Sequence, residues 1–219
     1  MISRKLNLTI LISTALLFLF NAGILNASGI DYIEIDTGLL YLGNSETDSA
    51  PSPILRTVGL TVPLLKMNLF TIRTGIDFWG NYYAYNGTRA LPQEIEAPGD
   101  RWNWVLSTLI DTRFGMEYAF NSTILAGADI GLAFLLRFPI VSSDVAKNDR
   151  LALMQYLFGK GRFFYPSNDI YLTWNVYEKF SLSFNLKILY PLFHLWDGES
   201  LPFYDQLIVS GLIGFVIKL

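Results

Sequence analysis

Residues 204–219 read YDQLIVSGLIGFVIKL, and the alternation within them decides the fold class. Leu207, Val209, Ile213, Phe215, Ile217 and Leu219 share one parity. Gln206, Ser210, Gly214 and Lys218 hold the other, with Ile208, Leu212 and Val216 among them. Successive side chains of a strand point to opposite faces, so this segment predicts a strand with one apolar face and one small or polar face. Seven further segments alternate in the same way: 30–42, 54–65, 68–80, 101–118, 122–137, 169–177 and 181–192. Alternation repeated this often outweighs any single segment.

The amino terminus supplies a second sign. Arg4 and Lys5 precede an apolar core over 8–20, and residues 21–29 are small or polar. That is the anatomy of a secretory signal, expected to occupy 1–28 with cleavage after Ala27 or Ser28. The expected mature domain is then 29–219. Its bulk composition is apolar: hydrophobic residues make up 52% of the chain, aromatics 15% and charged residues 16%, against about a quarter charged in ordinary soluble domains. Yet no stretch after the signal approaches the roughly eighteen consecutive apolar residues of a spanning helix. Strands cross a bilayer only when closed into a barrel, where every backbone group is paired. The prediction is an all-β fold, an eight-stranded antiparallel up-and-down transmembrane β-barrel.

Connection lengths agree. The joints at 66–67, 119–121 and 178–180 are of hairpin length, whereas 43–53, 81–100, 138–168 and 193–203 are long. Short turns on one side and long loops on the other is the asymmetry of outer-membrane barrels. It predicts four extracellular loops and both mature termini in the periplasm of a diderm bacterium.

Parity assigns side chains to the two faces. In 169–177, for example, Ile170, Leu172, Trp174 and Val176 face out and Tyr171, Thr173, Asn175 and Tyr177 face in. The inward set carries the charge: Glu34, Asp36, Asp77, Asp111, Glu117 and Asp129 against Arg73, Arg113, Arg137, Lys187 and Lys218. An eight-stranded barrel has an interior just wide enough to be filled by side chains. Near-balanced buried charge predicts a salt-bridged lumen network, with a polar conduction path as the alternative. Tyr41, Trp102, Trp104, Phe114, Tyr118 and Tyr190 fall near strand ends, where aromatic girdles meet the bilayer interfaces.

The strand count, the loop alternation and the terminal strand resemble the small eight-stranded outer-membrane barrels, the class that includes the OmpA transmembrane domain, OmpX and OmpW. The resemblance covers 30–219 and is architectural. It implies outer-membrane lipid as the surrounding partner, a barrel-insertion machinery during assembly, a monomer, and loops as the surface for any extracellular ligand. It also implies a non-enzymatic anchor, or, as in OmpW-like barrels, a narrow path for small hydrophobic molecules.

Other chemistries find little support. There is no cysteine, hence no disulfide, thiolate metal site or lipid-attachment residue. Losing Arg4 and Lys5 with the signal leaves 14 basic against 19 acidic residues, the wrong balance for a nucleic-acid partner. His194 is the one histidine, followed by Asp197 and Ser200. Three adjacent loop residues rarely converge as a triad, so no catalytic residue is assigned and lipid modification stays the least favoured reading. Glu94, Glu96 and Asp100 are ordinary loop charges, and no metal site or cofactor is expected. In the third loop Leu151, Met154, Leu157 and Phe158 have helical spacing. That segment is either a short helix over the barrel mouth or part of a hairpin around 159–161. Its apolar residues either bury one another or form a hydrophobic entry site.

Overall fold

The computed structural model describes residues 30–46, 52–93 and 99–219. The expected signal segment and the loop acids Glu94 and Glu96 lie outside the described residues. Eight long strands form a closed antiparallel ring: β1 (Tyr32–Leu42), β2 (Ile54–Met67), β3 (Phe70–Tyr85), β5 (Asn103–Ala119), β6 (Ile124–Ser142), β7 (Phe164–Tyr177), β8 (Phe180–Leu189) and β9 (Ile208–Lys218). Each pairs with the next in sequence, and β1 pairs with β9 over eleven residues, from Tyr32 opposite Lys218 to Leu42 opposite Ile208. That last pairing makes the terminal strand the closing stave. A short ninth strand, β4 (Ala90–Gln93), adds only to the far end of β3.

Local chemistry sets the turns. Asn68 adopts φ +54° between β2 and β3, a left-handed conformation that asparagine tolerates better than most residues. Between β5 and β6, Asn121 Oδ1 accepts from the backbone N–H groups of Thr123 and Ile124, both at 2.8 Å. The register breaks between Pro63 and Leu65, where Leu64 and Leu65 are both exposed. A proline lacks the N–H a ladder needs and is tolerated at such a bulge. A second irregularity between Asn175 and Tyr177 corrects one parity assignment: Tyr177 is 74% exposed rather than inward.

The strands run further at the loop end than the sequence suggests. β3 continues to Tyr85 and folds back through β4, inside the expected 81–100 loop. β6 reaches Ser142 and β7 begins at Phe164, shortening the expected 138–168 loop. What remains of that loop holds the helix α1 (Arg150–Phe158). The helix is the reading realised: residues 159–161 form a short helical turn rather than the tip of a hairpin, and the barrel is lengthened instead by β6 and β7. The buried stripe is Leu153, Tyr156 and Leu157, whereas Leu151 is exposed. In the other direction, β9 starts at Ile208; residues 204–207 belong to a turn in which Gln206 has φ +61°.

The interior is layered along the barrel axis. Toward the tight turns it is charged. Toward the loops it becomes an apolar core that includes Leu40, Leu55, Trp79, Val105, Leu109, Leu135, Tyr165 and Leu189. Leu153, Tyr156 and Leu157 of α1 and Phe193 of the last loop close over this core.

Candidate functional site

The charged layer rests on adjacent staves carrying like charges. Arg73 of β3 stands directly beside Arg113 of β5, and Asp129 of β6 directly beside Asp169 of β7. Like charges opposite each other on neighbouring strands are destabilising by themselves. Here the two pairs sit on four consecutive staves, and each arginine reaches an acid two staves along the ring. Arg73 binds Asp129 through Nε (2.9 Å) and Nη2, and Arg113 binds Asp169 through Nη1. Arg113 also contacts Asp111 Oδ1 at 3.0 Å and donates to Thr61 Oγ1 at 2.9 Å. The Arg73 guanidinium lies 3.8 Å from the centre of the Tyr171 ring, and Tyr171 donates to Glu117 Oε1 at 3.2 Å. Lys187 of β8 reaches both Asp77 (2.6 Å) and Asp111 (2.9 Å).

Inward glycines make room for these long reaches. A Cβ on Gly127 would strike the Tyr171 ring, and one on Gly115 would strike the Asp129 carboxylate. All of the connected side chains are buried. Breaking such a pair strands a charge, at a cost of about 3–5 kcal/mol. Connected as they are, they fill the middle of the barrel.

The expected network is thus partly redrawn. Arg73, Asp77, Asp111, Arg113, Asp129 and Lys187 are brought together. Glu117 sits at the turn end, paired with Lys66 at 2.7 Å. Glu34 has no basic partner among the described residues; Ser183 donates to it, and Asn185 does so at 2.9 Å. Asp36 lies beside the network but forms no ion pair among the described residues. Lys218 donates to Asn175 Oδ1 at 3.0 Å. Arg137 does not join at all. It sits among the apolar residues of the loop end, donating to the carbonyls of Leu157 (3.3 Å) and Arg162 (2.8 Å). Asp169 was missed, although its parity with Tyr171 marks it as inward; it stands at the edge of the expected strand, where alternation has too few residues to register.

A second polar cluster locks the loops over the mouth. Arg89 pairs with Glu46 and with Asp205, both at 2.8 Å, and Ser45 Oγ donates to Asp205 at 2.8 Å. Arg162 bonds Glu199, lies 3.5 Å from Asp197 and stacks 4.1 Å from the centre of the Tyr156 ring. Burial pushes the Tyr156 phenol above its usual titration range, with the Arg162 charge opposing. His194 is held at both nitrogens, Nδ1 3.1 Å from Asp197 Oδ2 and Nε2 2.9 Å from the Asp205 carbonyl. No hydrogen bond joins Ser200 to either His194 or Asp197 among the described residues. Both contacts tie the imidazole into the loop structure.

Aromatic side chains form two outward bands. At the loop end are Tyr41, Trp104, Trp102 (edge-on to Tyr82 at 5.1 Å) and Tyr190 (6.3 Å from Phe203). At the turn end, Phe114 stacks on Phe70 at 5.5 Å and Tyr118 meets Phe120 at 5.2 Å. Between the bands the wall is apolar, with Leu60, Ile130, Leu132, Ile170, Phe184 and Ile213 exposed. A recess of about 500 Å3 opens on this outer face between Leu172, Phe184, Leu186 and Ile213, over Gly211.

No protein-family profile matches the chain, and no curated protein matches it. Solved structures do. Neisserial surface protein A is 10% identical, with a TM-score of 0.53 over 86% of this chain and 96% of that one. The outer membrane protein OprG of Pseudomonas aeruginosa is 8% identical, with a TM-score of 0.49 over 87% and 97%. The outer membrane enzyme PagL is 13% identical, with a TM-score of 0.42 over 86% and 99%. The chain has the fold of the small eight-stranded outer-membrane β-barrels.

Proposed function

We infer, from a fold shared with barrels of the bacterial outer membrane, that this chain is an integral outer-membrane protein acting as a sealed anchor for a folded cap of loops. The observation that carries the reading is the double closure of the lumen. A cross-braced charge layer fills the middle, and an apolar core closed by α1 and Phe193 fills the loop end. An entry chamber for hydrophobic molecules would occupy that second space. The outward aromatic bands serve as interface anchors, the turn end faces the periplasm, and the cap, braced by Arg89, Arg162 and their acids, is the surface offered to any extracellular ligand. The barrel performs no chemistry of its own: its one histidine is spent on loop structure.

Transport of small apolar molecules is the second reading, favoured by the recess on the lipid face beside Gly211. Liposomes distinguish the two. With purified protein inserted, a small apolar dye should enter no faster than into empty liposomes; protein-dependent uptake would favour transport and overturn the anchor.

A further inference from the structure

Charges in the middle of the lumen do not balance. Glu34, Asp36, Asp77, Asp111, Asp129 and Asp169 are buried there, and among the described residues the bases reaching this group are Arg73, Arg113 and Lys187. The arginines serve Asp129, Asp169 and Asp111; the lysine serves Asp77 and Asp111. Asp36 is only 3% exposed yet is served by none of them. Its Oδ1 is buried without a hydrogen-bond partner among the described residues, and so is Oδ1 of Asp77.

These two oxygens converge. Asp36 is paired in register with Gly59, and Gly59 with Asp77, so the two acids flank one residue that has no side chain. Both Oδ1 atoms crowd the position that a Cβ on Gly59 would take. Two ionised carboxylates placed so, with no donor between them, repel strongly in a medium of low dielectric. A single proton removes the repulsion and turns one acceptor into the donor that the other lacks. A metal ion fits less well: among the described residues no three His, Cys, Asp or Glu side chains are grouped to hold one, and the Lys187 ammonium already stands 2.6 Å from Asp77.

We propose that Asp36 and Asp77 form a proton-binding site in the lumen, with Asp36 held as the neutral acid and its O–H directed at Asp77 Oδ1. Asp77 stays ionised beside Lys187. The charged groups facing the site are Glu34 on β1, Arg73 on β3, Asp111 and Arg113 on β5, Asp129 on β6, Asp169 on β7 and Lys187 on β8. The register partners of Asp36 on β2 and β9 are Gly59 and Gly214, which do not titrate. Glu34 is already satisfied by Ser183 and Asn185, which leaves Asp36 as the acid lacking a donor. The folded barrel then binds one proton that the unfolded chain releases at neutral pH, so stability declines as the pH rises until Asp36 ionises.

The test is thermal unfolding of the purified barrel in detergent from mildly acidic to alkaline pH, where the decline begins just above the range of an unfolded carboxyl, together with its infrared spectrum. Asparagine at position 36 supplies an N–H where the acid supplies its O–H. D36N should therefore unfold close to the unsubstituted barrel at neutral pH and lose much of its decline with rising pH, whereas D36A should unfold earlier already at neutral pH. The C=O stretch of a protonated carboxylic acid should be present at neutral pH and reduced in D36N. A D36N barrel that fails to fold, or is as weak as D36A, or keeps the same pH dependence and infrared band, would overturn the proposal. So would a midpoint that rises with added sodium or calcium in the unsubstituted barrel but not in D36N, because the site would then hold a cation rather than a proton.

Discussion

Arg113 shows how much one inward side chain holds. It touches Asp169, Asp111 and Thr61 at once and is buried. Arg113→Ala should strand the Asp169 carboxylate, leave Asp111 with Lys187 alone, and destabilise the barrel by about 3–5 kcal/mol. Adding Asp169→Asn should return part of the loss, because the second change removes one stranded charge. Denaturant midpoints of the two variants check this; unchanged stability in Arg113→Ala would mean that water solvates these groups. That Arg113 points inward was legible in the sequence, since a period of two leaves each residue only two choices. Its partner was not. Arg113 sits on β5 and Asp169 on β7, which are not neighbours in the sheet, and Arg73 meets Asp129 across the same gap. Such pairs depend on how the staves stagger around the ring, which no local spacing encodes. Arg137 failed for the opposite reason: parity gave its direction but not its depth, and it lies in the apolar layer rather than the charged one.

The elements were predicted well in their middles and poorly at their loop ends. Stretches in the middle of the wall alternate because their outward face is apolar, and the alternation lapses beyond that apolar band. β7 begins with Phe164, Tyr165, Pro166, Ser167 and Asn168, a run that reads as loop, yet Tyr165 is buried under the cap and Ser167 pairs with Leu189. α1 was half legible for a related reason. Its apolar residues occur on most sides, so spacing alone did not select the Leu153, Tyr156 and Leu157 stripe over one containing the exposed Leu151. The connectors remain the firmest element-scale prediction. With no native cysteine in the chain, single cysteines can be placed at exposed positions in two long connectors (Thr88, Asn148) and in one tight turn (Ser122). On intact cells a membrane-impermeant thiol reagent should label the first two and spare the third. Labelling of Ser122→Cys alone would reverse the orientation.

For the molecule as a whole, the closed ring and the filled lumen answer different demands. Closure satisfies the backbone in lipid, and the β1–β9 pairing provides it. Filling is a choice made by side chains, and this chain makes it twice, with charges in the middle and apolar side chains beneath the loops. Either layer alone would narrow a channel, and the sealed-anchor reading rests on the two being stacked. Purified protein in planar lipid bilayers therefore tests the central claim directly. Inserted barrels should show no single-channel conductance at either polarity. A steady, ion-selective current that shifts in Arg113→Ala would contradict it and make the charge layer the wall of a pore.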